Sequence, residues 1–274
     1  MTKFFEFLKK RPLLTAALAV VIALMGVRIP QDSFWTRCVL RILLCGTMLF
    51  LLYLISGEKT LFLGNNQTGY VLRRLLGLLI FAAVAGVLGL LGTVKNGEIV
   101  PGLPLRLVTV MLMFLFVGLF EELCFRAILN DAMIYRFRNS RGVFAVSAVV
   151  SSLIFGVMHV IGSPLTDPFA FVQAALKTLS TAIAGFAFLI LYWKTRNVWA
   201  IGLAHGMYDF LGAPSLVLGS STPIGAGNYV MEGVVGKAAI IVYVIQIVVS
   251  GLITLHIWKK VGKTIDFKAI RENW

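Results

Sequence analysis

Residues 119–129 read LFEELCFRAIL, two adjacent glutamates and an arginine set in an apolar run. Neither VTVMLMFLFVG (108–118) before it nor VFAVSAVVSSLIFGVMHVIG (143–162) after it holds an Asp, Glu, Lys or Arg. An ionised side chain at the centre of a membrane helix costs about 2.5–3.5 kcal/mol on insertion scales, so each one calls for a reason.

That these runs face lipid follows from the composition. The 274-residue chain is 59% hydrophobic and only 14% charged, with a mean hydropathy of +0.91. Soluble domains are about half apolar and about a quarter charged. The excess is lipid-facing surface. The net charge of +13 does not point to nucleic acid, because the basic residues lie in short segments between apolar runs and not along one helical face. Cys38 and Cys45, seven residues apart on one helix, are roughly 10 Å apart, too far for a disulfide. Cys124 lies in an apolar run, and no CxxC metal pattern occurs.

About 20 apolar residues cross the hydrocarbon as a helix. Eight segments approach that length: 13–29, 38–56, 75–93, 107–130, 143–162, 168–193, 197–218 and 238–258. The expected fold is an all-α polytopic transmembrane bundle of about eight spans, forming a single membrane domain over 1–274. The first segment has a charged start and an apolar middle but no A-x-A site, and is read as an uncleaved anchor. With the N-terminus inside, the inside segments hold 17 of the 25 Lys and Arg, the outside loops five and the spans three. This asymmetry places both termini in the cytoplasm, and a compact chain without sorting signals suggests a cell membrane, the bacterial inner membrane.

Setting aside residues at span ends, the ionisable residues at lipid depth are Glu121, Glu122, Arg126, His159, Lys177, His205 and Asp209. Glu122 and Arg126 are four apart and share a helix face. Glu121 lies about 100° around from Glu122, so the two carboxylates serve different purposes. His205 and Asp209 are again four apart, as are Phe155 and His159. Gly156, Gly202, Ala204 and Gly206 flank the histidines and permit close helix approach. Lys177 is read as a snorkelling side chain, and Phe155, Met158 and Cys124 as packing residues.

This set suits hydrolysis of a peptide bond without a covalent nucleophile; neither G-x-S-x-G nor HExxH is present. A partly desolvated Glu121 can take a proton from a water that His159 also holds. Arg126 neutralises Glu122, and His205 with its polar partner can donate to an oxyanion. Glu121 and His159 reach similar depth only if the fourth helix continues through NDAMIYRF to about Phe137, which the absence of Gly and Pro allows.

Glu121-Glu122-x-x-x-Arg126, Phe155-x-x-x-His159 and His205-x-x-x-Asp209, in that order, resemble the CPBP family of intramembrane proteases. These proteins, also called Abi, are bacterial relatives of the type II CAAX prenyl endopeptidase. The resemblance covers about 107–218. It implies Glu121 as general base with His159 as its partner, Glu122 with Arg126 as the pair that holds the base, and His205 and Asp209 as oxyanion stabilisers. The prenyl protease has asparagine where this chain has Asp209. An ionised aspartate would repel an oxyanion, so Asp209 is protonated, orients His205 or binds a cation.

The family is often labelled metalloprotease, and Glu121, His159, His205 and Asp209 are the ligand set if zinc is used. The expected chemistry is metal-free. The implied partners are the lipid bilayer and a membrane-associated or prenylated peptide or protein substrate, with no nucleic acid. Two other functions fit buried polar residues: a bacteriocin immunity protein acting by binding, and a proton-coupled transporter. The second commonly shows two related halves, and the sequence has no such repeat.

Overall fold

A computed structural model describes residues 2–29, 33–57, 65–95, 102–165, 167–213, 229–231 and 233–272. Among these residues the fold is all-α and without strands. The helices are α1 (Thr2–Lys9), α2 (Pro12–Arg28), α3 (Phe34–Ser56), α4 (Thr68–Lys95), α5 (Leu103–Arg136), α6 (Val143–Met158), α7 (Pro168–Thr195), α8 (Val198–Gly212), α9 (Gly233–Val261) and α10 (Phe267–Glu272).

Local chemistry sets several starts. Ser33 and Thr36 form a reciprocal capping box on α3. Asp167 accepts from the Ala170 amide at 2.8 Å with Pro168 as the first residue of α7, and Asn197 accepts from the Ala200 amide at 2.9 Å to start α8. Leu76, Ile80, Val84, Leu88 and Leu91 run exposed along α4, and Val235, Ile241, Val248 and Leu252 along α9. Such stripes suit a hydrocarbon solvent.

All eight expected segments contain helix. Among the described residues, five helices are long and apolar enough to cross a membrane, or six if α1 and α2, bent by 103° at the break between them, make one span. The helices α2, α6 and α8 have 17, 16 and 15 residues. At 1.5 Å per residue they are about 22–26 Å long, short of the roughly 30 Å hydrocarbon. The fifth expected segment, 143–162, is not one helix throughout, because α6 ends at Met158 and His159–Gly162 form a turn closed by Gly162 at φ 88°. Residues 214–218 of the expected seventh span lie outside the described residues.

The fourth helix does run on to Arg136, as the absence of Gly and Pro suggested. It is not α-helical throughout. Leu123–Asn130 form a π-helix, all eight residues buried, with the i→i+5 bonding that is found mostly as short insertions in α-helices, frequently at functional sites. The helices α2, α3 and α6 pack around this segment.

Its far end is anchored by a buried polar cluster. Asp131 pairs with the guanidinium of Arg196 and accepts from Tyr192 Oη at 2.7 Å. Beside it, Asn130 accepts from Trp193 Nε1 at 2.9 Å and donates to Ser151 Oγ at 3.3 Å. These bonds tie α5 to α6 and to the corner between α7 and α8. Spacing alone did not single out Asn130 and Asp131, because they sit at the end of an expected span.

The α5–α8 contact positions the site. A Cβ on Gly118 would overlap the Gly206 amide and the Gly202 carbonyl, and one on Gly206 would overlap Leu115 Cα and the Phe114 carbonyl. The two backbones therefore touch, as small residues allow in membrane bundles. Gly156 likewise lies against the Thr178 carbonyl and seats α6 on α7.

Candidate active site

At this contact the consecutive glutamates of α5 diverge. Glu122 is fully buried, with Oε2 3.0 Å from Arg126 Nε and Oε1 2.8 Å from His205 Nδ1. It therefore has a second partner, 83 residues away, beyond the arginine that spacing assigned to it. Arg126 in turn donates from Nη2 to the Gly185 carbonyl at 2.9 Å and lies 4.3 Å from the Phe155 ring centroid. The buried Glu122 carboxylate is thus ion-paired with Arg126 and hydrogen-bonded to His205, while its Oε2 and Arg126 Nη1 make no hydrogen bond.

Phe155 is the hub of this arrangement. Its ring meets Phe125 edge-on at 5.1 Å, His159 at 4.9 Å and His205 at 5.8 Å, while Arg126 covers its face. Phe188 stacks on His205 at 4.9 Å and 23°. Phe155, read from the sequence as packing, thus orients both histidines.

Glu121 points the other way, into a cavity of about 930 Å³ that His159, Lys177, His205, Asp209 and Tyr229 also line. Its Oε2 is buried without a hydrogen-bond partner and lies 3.7 Å from His205 Nε2. Asp209 Oδ2 is 3.7 Å from the same nitrogen. One imidazole edge is therefore held by Glu122 while the other faces two carboxylates across the cavity. His159 occupies the turn after α6, its Nδ1 bonded to the Phe155 carbonyl at 2.9 Å. Since a carbonyl only accepts, Nδ1 carries the proton and Nε2 is left as an acceptor.

Of the six motif residues, Glu121, His159, His205 and Asp209 thus line one cavity, and Glu122 and Arg126 pack behind them against His205 and Phe155. Lys177 departs from expectation. It does not snorkel to an interface: its Nζ lines the cavity, 4.1 Å from the centroid of Tyr229 and 5.9 Å from that of Tyr243. Tyr229 belongs to no motif; it reaches the site from the segment before α9, and nothing in local spacing signals it. Arg41 of α3 also lines the cavity, with a buried Nη1 that has no hydrogen-bond partner.

Among the described residues, no three His, Cys, Asp or Glu side chains converge to hold a metal ion. Glu121, His159, His205 and Asp209 do not form a ready ligand set in this conformation.

Residues 102–211 match the family described as type II CAAX prenyl endopeptidase Rce1-like, close to the 107–218 that the motifs marked out. No curated protein and no solved structure matches the chain. The matched region begins at the start of α5 and ends within α8, and so contains every residue of the motif set. With three motifs in order around one cavity inside an apolar helical bundle, the similarity of residues 102–211 to the type II CAAX prenyl endopeptidase Rce1-like family supports an intramembrane protease.

Proposed function

We propose that this protein is an intramembrane endopeptidase that hydrolyses a peptide bond with water activated by Glu121. The observation that carries the reading is the buried Glu121 carboxylate at the cavity, with an oxygen that makes no hydrogen bond and lies 3.7 Å from His205 Nε2. A desolvated acceptor without a partner is costly to maintain, and a water or a substrate polar group is what would satisfy it.

The chemistry follows from the donors and acceptors. A water between Glu121 and the free Nε2 of His159 loses its proton to Glu121 as its oxygen bonds to the scissile carbonyl carbon. The carbonyl π electrons move to oxygen, and the protonated Nε2 of His205 donates to the resulting oxyanion. That requires an imidazolium, since Nδ1 already donates to Glu122; three surrounding carboxylates favour it. Collapse breaks the C–N bond, and Glu121 returns its proton to the leaving amine. Glu122 and Arg126 position His205 and the helix without touching substrate. The substrate class is a membrane-associated or prenylated peptide or protein, entering a cavity within the usual size range of ligand pockets. Comparing membrane proteomes of cells carrying the wild type or Glu121→Ala tests this reading. Substrates shortened only by the wild type support it; identical membranes sink it.

Asp209→Asn separates metal-free from zinc chemistry. Asparagine keeps the shape and adds an N–H donor while removing negative charge near the oxyanion. Activity within about threefold of wild type, with substoichiometric zinc in both purified proteins, is expected on the oxyanion-hole mechanism. Activity and bound zinc falling together would instead make Asp209 a ligand.

We place the protein in the cell membrane with both termini in the cytoplasm, on the asymmetry of 17 against five basic residues. A reporter active only outside the cytoplasm, fused after Trp274, should stay silent; a strong signal reverses the assignment.

A further inference from the structure

A lysine in the interior of a membrane helix needs a reason of its own. Lys177 lies nine residues into α7, about 13–14 Å from its start, and its ammonium turns into the cavity. Among the described residues it forms no ion pair within 4 Å. Its neighbours are aromatic faces, Tyr229 at 4.1 Å and Tyr243 at 5.9 Å, which shield a cation without using its N–H donors.

The Tyr229 side of this arrangement is built. One turn before Lys177, Gln173 holds the segment before α9 through two bonds, donating to the Met231 carbonyl at 2.8 Å and accepting from the Met231 amide at 3.0 Å. Tyr243 Oη donates to the Tyr229 carbonyl at 2.8 Å. Gln173 is fully buried, so its amide is committed to this task. The Tyr229 ring is thereby fixed between Lys177 and His159, whose ring centroid is 6.1 Å away. Asp209 and Glu121 line the same cavity and are the carboxylates within Coulombic reach of Lys177.

We propose that Lys177 is a catalytic residue, its ammonium stabilising the oxyanion together with His205 and offsetting the charge of Asp209. The proposal rests on the peptidase reading. The proton balance is unchanged: Glu121 takes the water proton and returns it to the leaving amine, while Lys177 stays protonated and supplies charge and hydrogen bonds only. It resolves the difficulty that an aspartate beside an oxyanion would repel it, because α7 brings a cation to the site where α8 brings the aspartate.

The test uses the purified full chain in nanodiscs, a quenched-fluorescent prenylated CAAX peptide and the phosphinate analogue of that peptide as an oxyanion mimic. For Lys177→Met, kcat should fall about 100-fold, the scale of one lost oxyanion donor, with KM within twofold and the melting temperature maintained. Phosphinate affinity should fall by a similar factor, while binding of intact peptide to the Glu121→Ala and Glu121→Ala/Lys177→Met proteins is equal. Lys177→Arg should recover part of kcat, and Asp209→Asn added to Lys177→Met should recover about tenfold. A Lys177→Met enzyme with wild-type kcat and wild-type phosphinate affinity overturns the inference alone. A wild type that neither cleaves the peptide nor binds the phosphinate overturns the peptidase reading beneath it. Should Lys177→Met melt early, Lys177→Gln and Lys177→Arg carry the comparison; equal kcat in both and in the wild type overturns the inference.

Discussion

Glu121→Ala abolishes hydrolysis and leaves a folded, membrane-inserted protein. The expected loss in kcat is about 10²–10⁴-fold, the contribution of a positioned general base. Stability is spared because Glu121 makes no hydrogen bond through its buried oxygen, and its nearest ionic neighbour is 3.7 Å away. Removing a desolvated carboxylate oxygen that makes no hydrogen bond takes away a cost and not a bond. The measurement pairs initial rates on a membrane-embedded peptide with thermal melts in detergent. A melting temperature lowered as far as in the Glu122 variant would sink the division of labour between the two glutamates. So would retention of more than a tenth of the wild-type rate.

Glu122→Ala has the opposite signature: the fold suffers together with the rate. Glu122 is fully buried, Arg126 is 2% exposed and His205 5%, and one carboxylate holds both. Alanine leaves a guanidinium unpaired in a low-dielectric interior. Breaking a buried pair from one side costs about 3–5 kcal/mol. Arg126 keeps only the Gly185 carbonyl and the Phe155 face, and His205 keeps its stack on Phe188 but loses the bond that fixes its ring. Activity should drop at least tenfold beyond what the loss of folded protein explains, since a freely rotating imidazole no longer presents Nε2 to the cavity. Glu122→Gln should be intermediate, because an amide can accept from one partner without neutralising the other. Melts and rates that are wild-type for Glu122→Ala would remove the positioning role.

The two variants are informative together because the residues are adjacent. A helix turns 100° per residue, so one carboxylate faces the packed interior and the other the cavity. Their environments, and hence their tasks, differ through burial and partners and not through chemical type.

Much of this was legible along the chain. Hydropathy located every apolar helix, since lipid solvation is a property of local composition. Four-residue spacing marked Glu122 with Arg126 and His205 with Asp209, since neighbours on one helix face are decided by the helix itself. The absence of Gly and Pro in NDAMIYRF carried α5 to Arg136. What lay outside local rules was decided by packing. The π-helix at Leu123–Asn130 forms where α2, α3 and α6 enclose α5. The Glu122–His205 bond joins residues 83 apart and exists because Gly118, Gly202 and Gly206 let α5 and α8 touch. Lys177 read as an interfacial lysine, yet Gln173 and Tyr243 fix Tyr229 over the inward path of its side chain, and the ammonium lines the cavity. By itself, the sequence determined that this is a helical membrane protein and which polar residues it pays to keep in the apolar bundle, because hydropathy and helical period act within a few turns. Only the tertiary structure decided which of those residues face one another, because that depends on where helices cross, and the crossings are set by steric fit between segments far apart in the chain.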